Sequence, residues 1–310
     1  MRFTSLFESL TREVAPPSTR IIAYPDIVWV FGGPRSVLSG EEYCSYRNVF
    51  LTRVYDRHAD LSKSIRVPED YKEWNRFNGY PDLLEFERDA GYLSRASLIF
   101  CEGYGSVAEL GTFAADGDLN DQVIAAIARK HYEADAYIAL GPIERLLNVD
   151  DHSVCVIDAT DPTAFEAEVD SVIATLKLKL AAAPKTYSFR ATSVRDQFLL
   201  IADLIDLFLA LSQDEVLALV SAFQVRVTRD RVRQLLKQLE LFDLVRSKRV
   251  MNVTYYTAAP SSKPYVHYQA VQGLPNFDRA RFKTEVFKAL TADSHRDKAF
   301  KLARQDRATP

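Results

Sequence analysis

Cysteine is scarce in this sequence, and glycine is almost confined to one part of it. Only three cysteines occur among 310 residues, Cys44, Cys101 and Cys155, and they lie far apart along the chain. This spacing does not form a disulfide framework and predicts buried thiols in a reducing compartment, so a cytoplasmic location is expected. Of the eleven glycines, only Gly273 lies beyond residue 141. Loops that approach a ligand closely are therefore expected in the first part of the chain.

Long apolar runs and several catalytic signatures are also missing. No run of about 18 apolar residues occurs, and the first residues carry acids without an apolar core, so neither a membrane span nor a secretory signal is expected. The five histidines form no metal-ligand spacing with cysteine or acid, and the sequence contains no Walker A motif and no serine-hydrolase elbow. The sequence thus predicts a protein without a metal or a bound cofactor.

Charge is divided unevenly along the chain. Residues 1–180 contain 18 basic and 29 acidic residues, whereas residues 181–310 contain 21 basic and 13 acidic residues. A basic part joined to an acidic part indicates that the basic part meets a polyanion. A solvated basic face explains the same charge equally well.

Short apolar strands and helical segments alternate through the first part of the chain. Strands are predicted at residues 21–31, 49–54, 64–67, 96–101, 122–128 and 153–157. Helices are predicted at residues 82–94, from about residue 107, and at 165–180. This alternation predicts an α/β domain at residues 1–183, with a doubly wound, mostly parallel, Rossmann-like sheet. Ligands bind such sheets beyond the carboxyl ends of the strands.

A second domain is predicted at residues 187–291, after a linker at residues 181–186. Helices at 194–211, 213–222 and 228–240 and a hairpin at 245–257 have the order of a winged helix-turn-helix. Basic residues of the third helix and the hairpin are expected to bind nucleic acid, although winged helices also mediate protein–protein contacts. They are Arg229, Arg231, Arg233, Lys237, Arg246, Lys248 and Arg249. The polar segment at residues 292–310 is predicted to be a frayed helical tail.

The densest chemical signal runs from Cys101 to Gly111 and contains the glycine-rich turn from Glu102 to Ser106. A strand ends, glycines turn the chain and a helix begins, so free backbone N–H groups are expected to bind a phosphate or another anion. The substrate-binding residues predicted on this turn are Gly103, Tyr104, Gly105 and Ser106. Glu109, predicted in the first helical turn, either stabilises or attacks an oxocarbenium-like transition state, or complements the helix dipole.

Residues at other predicted strand ends complete the candidate site. Gly32 and Gly33 follow the first strand and let the backbone approach a phosphate or a sugar. Glu87 either holds ribose hydroxyls or lies on a solvated helix face, and the residues alone favour the second role. Glu69 either binds substrate or opens a helix. Tyr104 either stacks on a base or covers the loop.

Five motifs in a fixed order carry a resemblance to a known family. They are Gly32-Gly33, Pro68-Glu69-Asp70, Glu87, Gly105 to Phe113, and Tyr137 to Leu147 with Gly141-Pro142. In these motifs the chain resembles the nucleoside deoxyribosyltransferase-like effector proteins of bacterial retrons. Those effectors pair this α/β domain with a C-terminal winged helix, so the resemblance covers most of the chain.

The resemblance implies a toxin of anti-phage defence. Such effectors are held inactive by a reverse transcriptase and its msDNA, a DNA–RNA hybrid, and they deplete a nucleotide pool once released. The implied activity is N-glycosidic cleavage, with NAD⁺ hydrolysed to nicotinamide and ADP-ribose, Glu109 as the catalytic glutamate and Glu87 as a second acid. The turn from Glu102 to Gly105 lacks the Asp that true deoxyribosyltransferases present there, which favours hydrolysis over transfer.

Two other functions stay open on the sequence. One is a nucleoside or nucleotide N-ribohydrolase, or a deoxyribosyltransferase, without a role in defence. The other is a transcription regulator whose α/β domain senses a nucleotide and whose winged helix binds DNA. The protein is expected to assemble with a partner chain, as a homo-oligomer or in a higher assembly.

Overall fold

The computed structural model describes residues 3–35, 43–71, 80–183, 186–260 and 262–305. Contacts divide the chain into two units. The α/β unit contains Pro25–Glu73 and Leu84–Ala183, and the C-terminal unit contains Met1–Tyr24, Trp74–Leu83 and Pro184–Pro310. Parts of the predicted linker (184–185) and of the predicted tail (306–310) lie outside the described residues. In the described part of the chain, no helix combines the length and the apolar character needed to cross a bilayer.

Thirteen α-helices and eleven strands are described in these residues. The helices are α1 Phe3–Glu13, α2 Tyr46–Arg57, α3 Ala59–Ser62, α4 Leu83–Leu93, α5 Tyr104–Ala115, α6 Arg129–Tyr132, α7 Glu144–Leu147, α8 Val169–Ala182, α9 Val194–Phe208, α10 Gln213–Ala222, α11 Arg229–Leu241, α12 Arg279–Ala292 and α13 Ser294–Gln305. The strands are β1 Arg20–Ile21, β2 Val28–Phe31, β3 Ile65–Arg66, β4 Ala96–Phe100, β5 Val123–Ala128, β6 Val154–Ile157, β7 Tyr187–Ser188, β8 Leu211–Ser212, β9 Val245–Val250, β10 Val253–Ala258 and β11 Val266–His267.

A five-stranded parallel sheet forms the centre of the α/β unit. Its strand order is β3-β2-β4-β5-β6, and Val28 of β2 lies in register with Ile65 on one side and Ala96 on the other. This order is compatible with a Rossmann-like fold, and the α/β prediction is confirmed. The direction of winding reverses between β2 and β4, and ligands of such sheets bind at that switch point. The loops after β2 and β4 contain Gly32-Gly33 and Gly103, respectively.

Helices cover both faces of this sheet. On one face, Val30 and Phe100 belong to a buried cluster with Val54 of α2 and Val172 of α8. On the other face, the ring of Phe31 packs edge-on against Phe113 of α5, with 5.3 Å between the ring centroids. The strands are accordingly apolar on both sides, which is the pattern of a covered parallel sheet.

The strand predicted at residues 49–54 is wrong, because this segment lies inside α2. Ser45 caps the helix: its side chain accepts a hydrogen bond from the backbone N–H of Asn48. The buried residues include Phe50, Leu51 and Val54, a helical spacing that packs one face on the sheet. A short apolar run with β-branched residues fits either element on sequence alone, and here tertiary packing decides for the helix.

The helix predicted to begin near residue 107 begins at Tyr104 instead. The Ser106 hydroxyl accepts hydrogen bonds from the backbone N–H groups of Glu102 and Gly103, at 3.2 Å each. This cap starts the helix within the glycine-rich turn itself. Glu109 therefore lies in the second turn of α5 and not in the first.

The C-terminal unit has the helices and the hairpin predicted after residue 190. Helices α9, α10 and α11 precede the β9–β10 hairpin, and β8 pairs with the outer side of β10. The first residues of the chain belong to this unit, because β1 lies between β7 and β11 in a second small sheet. Phe7 of α1 packs edge-on against Phe208 of α9, with 5.0 Å between the centroids.

Of the segment predicted to be a frayed tail, Ser294–Gln305 forms the regular helix α13. Its Ala299 is fully buried in a cluster with Val250, Tyr255 and Leu290. The Arg296 guanidinium forms an ion pair with Glu215 at 2.7 Å and donates to the Ala210 carbonyl. The polar composition of this segment conceals its packing, because the inward side consists of two small alanines, one arginine and the partly buried Phe300.

Candidate active site

The loop after β2 packs so closely on its neighbours that it requires glycine at position 32. Gly32 has a φ of +148°, which L side chains rarely adopt. A Cβ atom there would lie 2.8 Å from Phe100 Cβ and 3.1 Å from Arg47 Cβ. The loop is therefore seated on the ends of β4 and α2, at the switch point of the sheet.

Glu87 of α4 and Glu109 of α5 form an acidic pair near this switch point. Glu87 is only 7% exposed; burial, followed by the charges of Glu109 and Glu69, raises its pKa to about 8. Burial also raises the pKa of the half-buried Glu109 to about 7, with Arg47 opposing the rise and Glu69 adding to it. At neutral pH, Glu87 is mainly protonated and a large fraction of Glu109 is ionised. The solvated helix face favoured for Glu87 on sequence is wrong.

Arg47 provides a buried positive charge beside these acids, and the sequence analysis missed it. Its side chain is 1% exposed and forms a two-pronged ion pair with Glu69, with Nη2–Oε1 at 2.5 Å and Nη1–Oε2 at 3.2 Å. Burial by itself raises the pKa of Glu69, but the hydrogen bonds and the charge of Arg47 outweigh it and hold this pKa below its usual range. Glu69, predicted to bind substrate, is thus an ionised carboxylate fixed by Arg47.

The sequence contains a pattern that places Arg47 on a buried helix face, but the incorrect strand prediction at residues 49–54 obscures it. In a helix, Arg47 shares a face with Phe50, Leu51 and Val54, all of which are buried. An arginine on the apolar face of a helix needs a buried anionic partner, so the correct element would have pointed to Glu69 or a similar acid.

Glu102 occupies the backbone donors of the first loop. Its carboxylate accepts hydrogen bonds from the backbone N–H groups of Gly33 at 3.2 Å, Tyr46 at 2.5 Å and Arg47 at 3.0 Å. Burial raises the pKa of Glu102, although these backbone donors and the Arg47 charge act against the rise. The N–H of Gly33, predicted to bind substrate, therefore donates to an acceptor from the protein itself.

Three residues of the glycine-rich turn are open to solvent. Gly103, Gly105 and Tyr104 are exposed, and Tyr104 is 100% exposed. Ser106 is buried at the third position of α5, where its hydroxyl accepts from the N–H of the N-cap residue Gly103 and donates to the Gly103 carbonyl at 3.1 Å. Of the four residues predicted on this turn, Ser106 has a structural role, whereas the other three border solvent.

A comparison with known families gives a match that covers most of this region. Residues 43–247 match the family described as STM3845 retron effector protein. The chain belongs to this family. The match spans Arg47, Glu69, Glu87 and Glu109, and it continues through α9, α10 and α11. No curated protein matches the chain. Membership of a retron effector family indicates a role in retron anti-phage defence and association with retron components.

The basic residues predicted to bind nucleic acid lie on α11 and β9 of this retron effector. Four of them form ion pairs with nearby acids: Arg229–Asp214 at 3.0 Å, Arg233–Asp230 at 3.0 Å, Lys237–Glu240 at 2.5 Å and Arg246–Asp243 at 3.1 Å. Arg231 donates to Gln234, and Arg249 donates to the Met251 carbonyl in the hairpin turn. Pairs as exposed as Arg229–Asp214 and Arg233–Asp230 are worth about 0–1 kcal/mol each, so they hold these arginines only weakly.

A cavity of about 370 Å³ lies beside α5 in the same α/β unit of the effector. It is lined by Gly111, Ala114, Tyr137, Leu140, Arg145 and five further residues, and neither Glu87 nor Glu109 lines it. Within the described ranges, no group of three histidine, cysteine or acidic residues is arranged to hold a metal ion. The acidic pair therefore forms a chemical centre separate from this cavity.

Proposed function

We propose that this retron effector is an N-glycosidase toxin that hydrolyses NAD⁺ to nicotinamide and ADP-ribose. The observation that carries the proposal is the acidic pair of the buried Glu87 and the half-buried Glu109 near the switch point of a parallel sheet, with Glu69 held ionised by Arg47. Carboxylates in this setting stabilise a positively charged sugar carbon, and acids whose pKa is strongly raised by burial and by neighbouring charges are typical of catalytic sites.

The reaction needs little more than these carboxylates. The bond between the ribose C1′ and the nicotinamide nitrogen breaks, and its electron pair leaves with nicotinamide, which departs as a neutral molecule. The ionised Glu109 stabilises the oxocarbenium-like centre or attacks it, and water then supplies the oxygen at C1′. The water proton is lost to Glu109 or to solvent. Because the pKa of Glu109 is about 7, the rate is expected to rise with pH through neutrality.

Glu87 supports a second candidate substrate class, the neutral nucleosides and nucleotides. A neutral base leaves a sugar poorly unless it receives a proton, and an acid with a pKa of about 8 carries that proton at neutral pH. The alternative activities are therefore N-ribohydrolase or deoxyribosyl transfer with Glu87 as the general acid.

Replacing Glu87 separates these two classes. For Glu87→Gln, we expect base release from deoxynucleosides to fall by about 100-fold or more, because general acid catalysis is lost. Release of nicotinamide should fall by about tenfold or less, since that leaving group needs no proton. Chromatography of the released bases measures both rates, and Glu85→Gln on the exposed part of the same helix is the matched control. Equal losses on both substrates would exclude Glu87 as the acid.

The C-terminal unit is proposed to be a winged helix that binds the reverse transcriptase–msDNA complex. The order α9, β8, α10, α11, β9 and β10 supports this assignment, because a winged helix places its third helix and its hairpin together. The basic residues on α11 and β9 supply a surface for the phosphates of msDNA. When that complex is bound the toxin is inactive, and its loss releases the activity.

Charge reversal of α11 tests this interaction. For the triple variant Arg229→Glu, Arg231→Glu and Arg233→Glu, we expect weaker binding of the complex. The slope of affinity against salt concentration should also fall, by about one unit for each phosphate that the variant no longer binds. The control reverses Lys288, Lys298 and Lys301, which are exposed on α12 and α13. Unchanged affinity and slope in the first variant would mean that α11 does not bind the nucleic acid.

Metabolite measurement in cells tests the proposed function as a whole. We expect cells that express the effector alone to lose NAD⁺ and accumulate nicotinamide, and cells that also express the reverse transcriptase and msDNA to keep their NAD⁺. A loss of deoxynucleosides with NAD⁺ intact would favour the nucleoside hydrolase. Unchanged pools, together with nucleotide-dependent binding to a DNA duplex, would favour the transcription regulator.

A further inference from the structure

We propose that Arg47 is a positioning residue for the glycosidic cleavage: its buried guanidinium clamps Glu69 and lies beside Glu109, so that both carboxylates face the substrate in fixed positions. This inference rests on the proposed N-glycosidase function. Arg47 acts through the two glutamates and does not itself contact the reacting atoms.

The geometry of Arg47 leaves it little freedom. Two guanidinium nitrogens grip the two oxygens of Glu69, and Nη1 also lies 3.4 Å from the Val30 carbonyl at the end of β2. The backbone N–H of Arg47 donates to Glu102, which fixes the start of α2. The absence of a side chain at Gly32 makes room for the aliphatic stem, because a Cβ atom there would lie 3.2 Å from Arg47 Cδ. The planar guanidinium group donates two parallel hydrogen bonds to one carboxylate. It therefore fixes the orientation of that carboxylate more tightly than the ammonium group of a lysine does.

One nitrogen of Arg47 takes no part in these contacts. Its Nε–H is buried without a hydrogen-bond partner in the described residues. The two terminal nitrogens alone therefore connect Arg47 to Glu69 and to the Val30 carbonyl.

The charge of Arg47 has a measurable effect on the pKa of Glu109. Arg47 favours the ionised form of Glu109, Glu69 opposes it, and the charge of Glu109 in turn acts on Glu87. Arg35 faces Glu69 from the first loop but is paired with Asp70 at 2.6 Å. Removing the guanidinium is therefore expected to raise the pKa of Glu109, and removing the charge of Glu69 is expected to lower it.

The pH dependence of base release distinguishes positioning from a structural role. In a plot of kcat/KM against pH, the acidic limb is the rise in rate as Glu109 ionises. For Arg47→Gln, we expect this limb to move to higher pH by about one unit or more, since an adjacent opposite charge is lost. For Glu69→Gln, the limb should move to lower pH. For Arg47→Lys, the limb should stay near its original position while kcat falls by about tenfold, because the charge remains but the fork is lost. Melting curves of each variant monitor folding.

A carboxyl titration by NMR keeps this inference testable without activity. In protein labelled at the glutamate carboxyl carbons, the Glu109 signal is the one that Glu109→Gln removes. If the wild type releases no base from any substrate, the proposed function fails, and the titration alone then decides whether Arg47 controls Glu109. If Arg47→Gln does not fold, the other two variants provide the test. The acidic limb of the pH profile should then move to lower pH in Glu69→Gln and stay near its original position in Arg47→Lys. An unchanged limb and an unchanged Glu109 titration in folded Arg47→Gln would overturn the inference.

Discussion

Glu109→Gln is expected to lower kcat/KM for nicotinamide release by about 1,000-fold or more, because the carboxylate that stabilises the transition state becomes a neutral amide. The same change should abolish toxicity in cells. Folding should survive it, since glutamine has nearly the same shape and Glu109 is only half-buried. Rates are measured by chromatography of released nicotinamide, and Glu144→Gln, on the exposed surface of α7, is the control.

The stability of this variant has a definite sign. The pKa of Glu109 is raised by folding from its ordinary value of 4.5 to about 7, so the folded state binds the proton more tightly than the unfolded state. The stability that this proton provides is complete below about pH 4.5 and is lost as the pH rises through about 7. Glutamine never carries that charge, so at pH 8 the variant should melt at the wild-type temperature or higher. Full activity in the variant would exclude Glu109 as the catalytic carboxylate, whereas loss of activity with a lower melting temperature would indicate unfolding.

Asp203→Ala is expected to destabilise the C-terminal unit by about 3–5 kcal/mol, since it removes one partner of a buried ion pair. The fully buried carboxylate of Asp203 accepts from the backbone N–H groups of Tyr265 and Val266, from the Tyr268 hydroxyl at 2.6 Å and from Arg279 at 2.8 Å. It therefore joins α9, β11 and α12, which are distant in sequence. Without it, these donors remain buried and unsatisfied.

Denaturant unfolding of the full chain measures this effect. The control is Asp278→Ala, which removes the N-cap of α12, where Asp278 accepts from the Arg281 N–H, and which should cost about 1 kcal/mol. If the two substitutions shift the transition by the same amount, the Asp203 network does not contribute as its geometry indicates.

The parallel sheet and the acidic residues were accessible from the sequence. Apolar runs such as Val123–Ala128 end at turn residues, and this pattern predicts a covered strand without knowledge of its neighbours. Glu109 was identified because it follows a strand, a glycine turn and a helix start, and all of these are local features. The family match over residues 43–247 agrees with the resemblance to retron effectors.

The features that sequence reasoning missed depend on interactions between distant residues. Arg47 meets Glu69 across 22 positions, and Glu102 meets Gly33 across 69. The incorrect strand at residues 49–54 concealed the face that brings Arg47 inward. The burial of Glu87 likewise depends on how α4 packs against its neighbours. The charged residues around Glu87 in the sequence do not reveal which side of this helix is covered. The predicted domain bounds at residues 183 and 187 remain predictions.

The most direct test of the central claim is proton NMR of purified protein incubated with NAD⁺, with the signals of substrate and products followed over time. The account predicts that nicotinamide and ADP-ribose appear in equal amounts as NAD⁺ disappears, and that Glu109→Gln leaves NAD⁺ intact. NAD⁺ that persists with the wild-type protein, while deoxynucleosides in a parallel sample release their bases, would contradict the claim.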